Sequence, residues 1–242
     1  MMPRRRTVHV HPLPDLVPSN TLPGSTAVVI DVLRATTTIV HALAAGCTCV
    51  RPCLEIDDAR RLAQQLPPGT VILAGERHTK PITGFDLGNS PDGFTPATCG
   101  GKAVILTTTN GTKAILRAAD ADRVLIAAFV NMSAVVKELT SDPRPINIIC
   151  SGVNGEFAIE DTLLAGALVH ALPHSTLNDS AKRAREAFEH HRRHLLESLR
   201  TSQGGAGLVS LGYDEDIQAA AQVDRFAVVP VLHRDPMRIA SL

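Results

Sequence analysis

The sequence predicts an α/β fold: a mostly parallel sheet built from repeated β-α units, with helices on both faces in three layers. Three observations carry this expectation. Short runs rich in Val, Ile and Leu recur along the chain. Each is followed by a loop and then a segment of helical periodicity, the pattern of β-α units. The connections between them are short, as such units prefer.

Taken in order, the first expected strand is "AVVI" before Asp31, followed by a helix over residues 37–45. "CTCVRP" is the next strand, with a helix over 56–66. "TVILAG" leads into the polar loop "TGFDLGNSP" at 83–91, and "KAVILT" into a helix over 112–119. "RVLIAAF" precedes a helix over 133–140, and "INIIC" one over 158–172. From 173 to 204 the composition turns charged, which predicts one long helix over about 174–203 with an apolar stripe at Ala184, Phe188, Leu195 and Leu199. That helix is expected to pack on an edge of the sheet or to cover a cleft. "QGGAG" reads as a break, Asp214 as the cap of a helix in "EDIQAAAQ", and "RFAVVPV" as the last strand. The 242 residues suit one α/β domain, with two lobes as the alternative.

Composition narrows the function. Twenty-four basic and 24 acidic residues leave no formal net charge, so no global field steers the chain to nucleic acid or an anionic membrane. Aromatic residues are only 3% and tryptophan is absent, which disfavours a base-stacking module. Five cysteines without a paired C-x-x-C array read as reduced thiols. The basic opening residues have no apolar core behind them, and no apolar run approaches the roughly 20 residues of a membrane span, so the expected location is the cytoplasm. His190, His191 and His194 fall among arginines at helical spacing and read as a solvated face rather than a zinc site.

In open α/β sheets ligands bind beyond the carboxyl ends of the strands, so chemistry is sought directly after the apolar runs. Asp31, Arg34, Thr36, Thr37 and Thr38 follow the first run; Glu76 follows the third; Thr107, Thr108, Thr109, Asn110, Gly111 and Thr112 follow the fourth; Ser151, Gly152, Glu160 and Asp161 follow the sixth. Hydroxyls and free amides at helix N-termini make an anion cradle, although the same residues serve as caps and turns. Arg34 is placed to clamp an anion bidentately. Asp31, at the end of a buried strand, needs a metal, an arginine or hydrogen bonds to compensate it. Asp31, Glu76, Glu160 and Asp161 form an oxygen-ligand set suited to Mg²⁺, while dipole stabilisation is the plainer reading for the last two. Asp86, Asn89 and Ser90 in the polar loop are expected at the same cleft, or in a purely structural loop. No phosphate-binding G-x-x-x-x-G-K-[ST] loop and no G-x-G-x-x-G follows a strand. Nor does the chain carry the signatures of cysteine, histidine or haloacid-dehalogenase-type phosphatases.

Together, "IDVLRATTTI", "GFDLGNSP", "TTTNGT" and "GEFAIEDTLLAG" resemble the motifs of the 2-phosphosulfolactate phosphatase family, often called ComB, in order and spacing over residues 28–171. A weaker likeness runs through "LGYDEDIQAAAQVDRFAVVPVL". The resemblance implies a Mg²⁺-dependent phosphomonoesterase releasing phosphate from (2R)-2-phospho-3-sulfolactate, on a route to sulfolactate and coenzyme M. It implies catalytic roles for Asp31 and Arg34 and metal ligation by Asp31, Glu76, Glu160 and Asp161. Substrate contacts are expected from Thr36, Thr37, Thr38, Asn89, Ser90, Thr108, Thr109, Asn110, Gly111, Thr112 and Gly152. The expected partner is a small anionic phosphate ester, with a homodimer as the candidate assembly. A non-catalytic anion-binding module, or a phosphatase of another phosphorylated hydroxy acid, is the rival reading.

Overall fold

A computed structural model of the chain describes residues 6–172 and 175–242. Most of the basic opening and residues 173 and 174, at the start of the charged stretch, lie outside the described residues. Among the described residues eleven strands form one sheet. They are β1 (Thr7–His11), β2 (Thr26–Ile30), β3 (Cys49–Pro52), β4 (Val71–Arg77), β5 (Lys80–Pro81), β6 (Ala103–Thr107), β7 (Arg123–Ala127), β8 (Ile146–Cys150), β9 (Thr176–Leu177), β10 (Pro230–Arg234) and β11 (Met237–Ser241). Their spatial order is β5-β4-β6-β3-β11-β10-β7-β2-β8-β1-β9. All neighbours pair in parallel except β5 and the β10–β11 hairpin.

This order divides the sheet into two parallel halves, β4-β6-β3 and β7-β2-β8-β1-β9. The hairpin stitches them together, Val231 pairing with Leu125 on one side and Ile239 with Val50 on the other. The central strands β2 and β8 are buried along their whole length, as parallel strands covered on both faces must be. Alternate residues of β2 enter opposite cores: Val28 and Ile30 one, Ala27 and Val29 the other. The first core is covered by α5 (Met132–Ser141), α6 (Ile159–Ala171), α7 (Asp179–His191), α8 (Leu195–Thr201), α9 (Gln203–Ser210) and α10 (Asp214–Ala220). The second holds α1 (Ala35–Ala44), the short α3 (Pro96–Cys99) and α4 (Gly111–Ala118), while the amphipathic α2 (Ile56–Gln64) lies over β4 and β6. The three-layer α/β expectation therefore holds. Although α4 follows β6, it packs on β2 across the divide and so draws the two halves' strand ends together.

Several element expectations need correction. β1 was not expected, yet Val8 and Val10 alternate into the core and pair with β8. The charged stretch is not one helix: it holds β9, then α7 and α8 separated by a tight turn over Arg192–His194. Of its expected stripe, Ala184 and Leu199 are fully buried. "QGGAG" does not break the chain but starts α9, because consecutive glycines there allow backbone to pack closely: a Cβ on Gly205 would lie 1.9 Å from the Leu199 carbonyl oxygen. In place of one last strand over 225–231 the chain ends in a hairpin: β10 starts only at Pro230, and β11 after it was not expected. Residues 224–226 are instead tied to the segment before α5, through Asp224 N–H to Phe129 and Phe226 N–H to Val130 carbonyls. All five cysteines are free, and among the described residues no helix is long and apolar enough to cross a membrane.

Candidate active site

A cleft of about 220 Å³ opens where the strand ends of the two halves meet. It is lined by Asp31, Leu33, Arg34, Glu76, His78, Thr79, Asn89, Thr108, Thr109, Asn110, Val153, Asn154, Gly204 and Leu208. Asp31 and the loop after β8 come from one half, Glu76 and the 108–110 turn from the other.

Asp31 directly follows β2. Its Oδ1 accepts the Ala35 N–H at 3.1 Å, which fixes the carboxylate at the start of α1. Its Oδ2 lies so close to Gly111 that a Cβ there would approach it to 2.6 Å, so Gly111 is required by contact. Asp31 is 6% exposed. Burial pushes its pKa up to about 7, the nearby Glu76 and Glu160 carboxylates adding to a rise that the Ala35 amide opposes. Asp161 is likewise pushed well above the usual range, by burial first and then by Asp31 and Glu160.

The other acids divide by what they already hold. Glu76 accepts the Thr109 amide at 2.7 Å, the Thr109 hydroxyl at 3.1 Å and the Thr79 amide at 2.8 Å. Asp161 accepts the amides of Val32, Ser151 and Gly152 and the Ser151 hydroxyl, at 2.8 to 3.1 Å. It pins the loops after β2 and β8 together, and Gly152 acts in this scaffold at a φ of +66° rather than bordering the cleft. Glu160 is different: it is 1% exposed, and among the described residues neither carboxylate oxygen has a hydrogen-bond partner, the nearby Ser202 hydroxyl donating instead to the Leu199 carbonyl. Its Oε1 would lie 2.2 Å from a Cβ on Gly204, so it sits just beneath the cleft wall, and burial raises its pKa. Among the described residues no group of three or more His, Cys, Asp or Glu side chains is arranged to hold a metal.

The two threonine runs behave differently. In α1 the Thr36 hydroxyl donates to the Asp31 carbonyl, Thr37 to Val32 and Thr38 to Asn89, all buried. They brace the loop and do not reach the cleft, because α1 already starts at Ala35 and turns them inward. In the second run, Thr108 and Thr112 satisfy each other through amides and hydroxyls. Thr108, Thr109 and Asn110 line the cleft. The amides of Asn110 and Gly111, at the start of α4, have no acceptor among the described residues. Such free amides at a helix N-terminus suit an anion. Asn89 borders the cleft with a buried Oδ1 that has no partner among the described residues. Asp86 turns away, accepting the Leu73 amide.

Arg34 follows a cis peptide bond. It donates to Asp216 Oδ2 at 2.5 Å, to the Ser90 hydroxyl at 3.2 Å and to the Thr79 carbonyl at 3.1 Å, and lies 4.6 Å above the centre of the Tyr213 ring. Sequence reasoning missed Asp216 and Tyr213, and also His78 and Thr79 on the cleft rim. The signal was present: Tyr213 and Asp216 stand in the last, weaker stretch of motif likeness, where only a helix cap was read.

The family model described as 2-phosphosulpholactate phosphatase matches residues 11–235. A protein of Symbiobacterium thermophilum named "Probable 2-phosphosulfolactate phosphatase" is 41% identical over 222 residues, covering 90% of this chain and 95% of the relative. Proteins of the same name from Thermotoga petrophila and Thermosynechococcus vestitus are 40% and 37% identical, covering 90% and 92% of this chain and 93% and 95% of theirs.

Proposed function

The chain belongs to the 2-phosphosulpholactate phosphatase family, and we propose that this phosphatase hydrolyses (2R)-2-phospho-3-sulfolactate to 3-sulfolactate and phosphate with Mg²⁺. The observation that carries this reading is the meeting in one cleft of Asp31 and Asn110, whose amide is free, with Gly111 and its free amide packed against Asp31. Those amides and Arg34 receive anionic oxygens, and Asn89 adds a further polar contact. Three acidic groups on a three-carbon frame need several separate receptors, which the cleft offers from three loops.

Mg²⁺ commonly takes one or two carboxylates, with waters and phosphate oxygens completing its shell. Asp31 and Glu160 fit that pattern, since neither Glu160 oxygen has a hydrogen-bond partner among the described residues and Asp31 borders the cleft with Oδ1 held by the Ala35 amide. Glu76 and Asp161 already hold three and four donors, and serve to shape the loops. When bound, the cation supplies charge neutralisation at the transferring phosphoryl group. Asp31 stands at the reacting end of the cleft, the Ala35 amide setting its orientation. Arg34 and the α4 amides hold the ester in line with it.

The test is phosphate release from a panel of phosphate esters, with and without Mg²⁺. Turnover is expected only with a divalent cation, and fastest for 2-phosphosulfolactate. Undiminished turnover after exhaustive chelation rejects the metal, equal turnover of unrelated esters rejects the substrate, and anion binding without any turnover returns the chain to a binding module.

A further inference from the structure

Arg34 borders the cleft, as does Thr79, whose carbonyl it meets, whereas its other partners do not. Asp216 and Tyr213 stand behind it on and before α10, almost two hundred residues along the chain, and neither lines the cleft. The guanidinium and the Asp216 carboxylate are both buried, with side chains 3% and 6% exposed. A buried ion pair of this kind adds little to stability, because desolvation offsets most of its attraction. Orientation is what it does supply. Ser90 closes the arrangement by accepting from Arg34 and donating to the same Asp216 oxygen at 2.9 Å. Of the five N–H donors of a guanidinium, those given to Asp216, Ser90 and Thr79 fix its plane, and the other two have no acceptor among the described residues.

We propose that Asp216 and Tyr213 are positioning residues that hold Arg34 in the one orientation from which it receives the anionic groups of the substrate, Asp216 by its hydrogen bond and Tyr213 by its ring face. The proposal rests on the phosphatase reading for its kinetic consequence, but not for its binding consequence. The pair also makes the site self-reporting. The chain has one tyrosine and no tryptophan, so emission excited at tyrosine wavelengths comes from Tyr213 alone, under the guanidinium that an arriving anion perturbs.

The experiment is a titration of the purified full chain with inorganic phosphate, followed by tyrosine emission, for wild type, Asp216→Asn and Asp216→Glu, with thermal melts to check folding. Saturable change is expected in the wild type. A folded Asp216→Asn is expected to bind phosphate about tenfold more weakly, the scale of one charge-assisted contact, with KM raised more than kcat is lowered, and Asp216→Glu is expected to recover part of both. A folded Asp216→Asn within twofold of wild type in phosphate affinity and KM overturns the proposal. Should Asp216→Asn not fold, calorimetric titration of Tyr213→Leu decides: severalfold weaker phosphate binding supports the proposal and unchanged binding overturns it. Absence of turnover in the wild type would reject the substrate assignment while the phosphate titration still decides the role of Asp216.

Discussion

At Asp31 burial, helped by the nearby Glu76 and Glu160, pushes a carboxylate's pKa up to about 7. Between the usual carboxylate pKa of about 4 and this value, the folded protein binds a proton that the unfolded chain has released. Stability contributed by the neutral form is therefore present at low pH and lost as pH rises through about 7. Asp31→Asn cannot ionise, so without divalent cations it is expected to raise Tm relative to wild type more at pH 8 than at pH 5. The same substitution is expected to lower turnover by at least about 100-fold, the scale of losing one principal transition-state contact. Thermal melts and initial rates on one preparation check both, and a folded variant within a few-fold of wild-type turnover would place the reaction elsewhere. The position of Asp31 was legible because a carboxylate after four apolar residues demands compensation. The inward turn of Thr36, Thr37 and Thr38 was not, since a hydroxyl that braces a loop and one that binds an anion leave the same mark in sequence. Nor could sequence separate Glu160 from Asp161: adjacent acids at one helix start, they differ only in whether backbone amides reach them.

Helices and strands show where such reading succeeds and where it stops. Most strands of the two halves are marked by apolar runs, whereas β1 offers only two valines around a histidine and the two-residue β9 no run at all. The α7 and α8 region was read as one amphipathic helix because periodicity does not reveal the turn over Arg192–His194. The α6–α7 contact rests on one missing side chain: a Cβ on Gly166 would stand 2.0 Å from the Ala184 carbonyl oxygen and 2.8 Å from the Phe188 Cβ. Gly166→Val therefore forces the helices apart and is expected to cost at least about 1–3 kcal/mol, the usual range for overpacking, read as a lower urea midpoint at unchanged slope. An unshifted midpoint would mean that α7 is not firmly docked. In the β4–β5 turn, His78 and Thr79 hold φ values of +51° and +71°. Asn and Gly accept such angles more readily, so replacing the pair with Asn-Gly is expected to raise Tm, and a lower Tm would show that the native side chains stabilise the turn.

Across the whole molecule, the β10–β11 hairpin is the joint on which the cleft depends, for it links the half that carries Asp31 to the half that carries Glu76. Ile239 is fully buried at that joint and paired with both Val50 and Leu232. Ile239→Ala is expected to destabilise by about 2–5 kcal/mol, and to shift far-ultraviolet dichroism and Tyr213 emission to the same new midpoint. Transitions that separated would show two halves melting independently. Chain order adds a consequence for how the protein is made. Both parallel halves are specified by residues up to 177, whereas the strands that unite them span residues 230–241. As a ribosome delivers the chain from its N-terminus, β3 and β7 wait with the edges that will face each other still unpaired, and a growing polypeptide exposes to its neighbours the very backbone groups that β10 and β11 will cover. The enzyme is thus most open to chaperone capture, and to mispairing with another nascent copy, in the interval before its central hairpin has been translated.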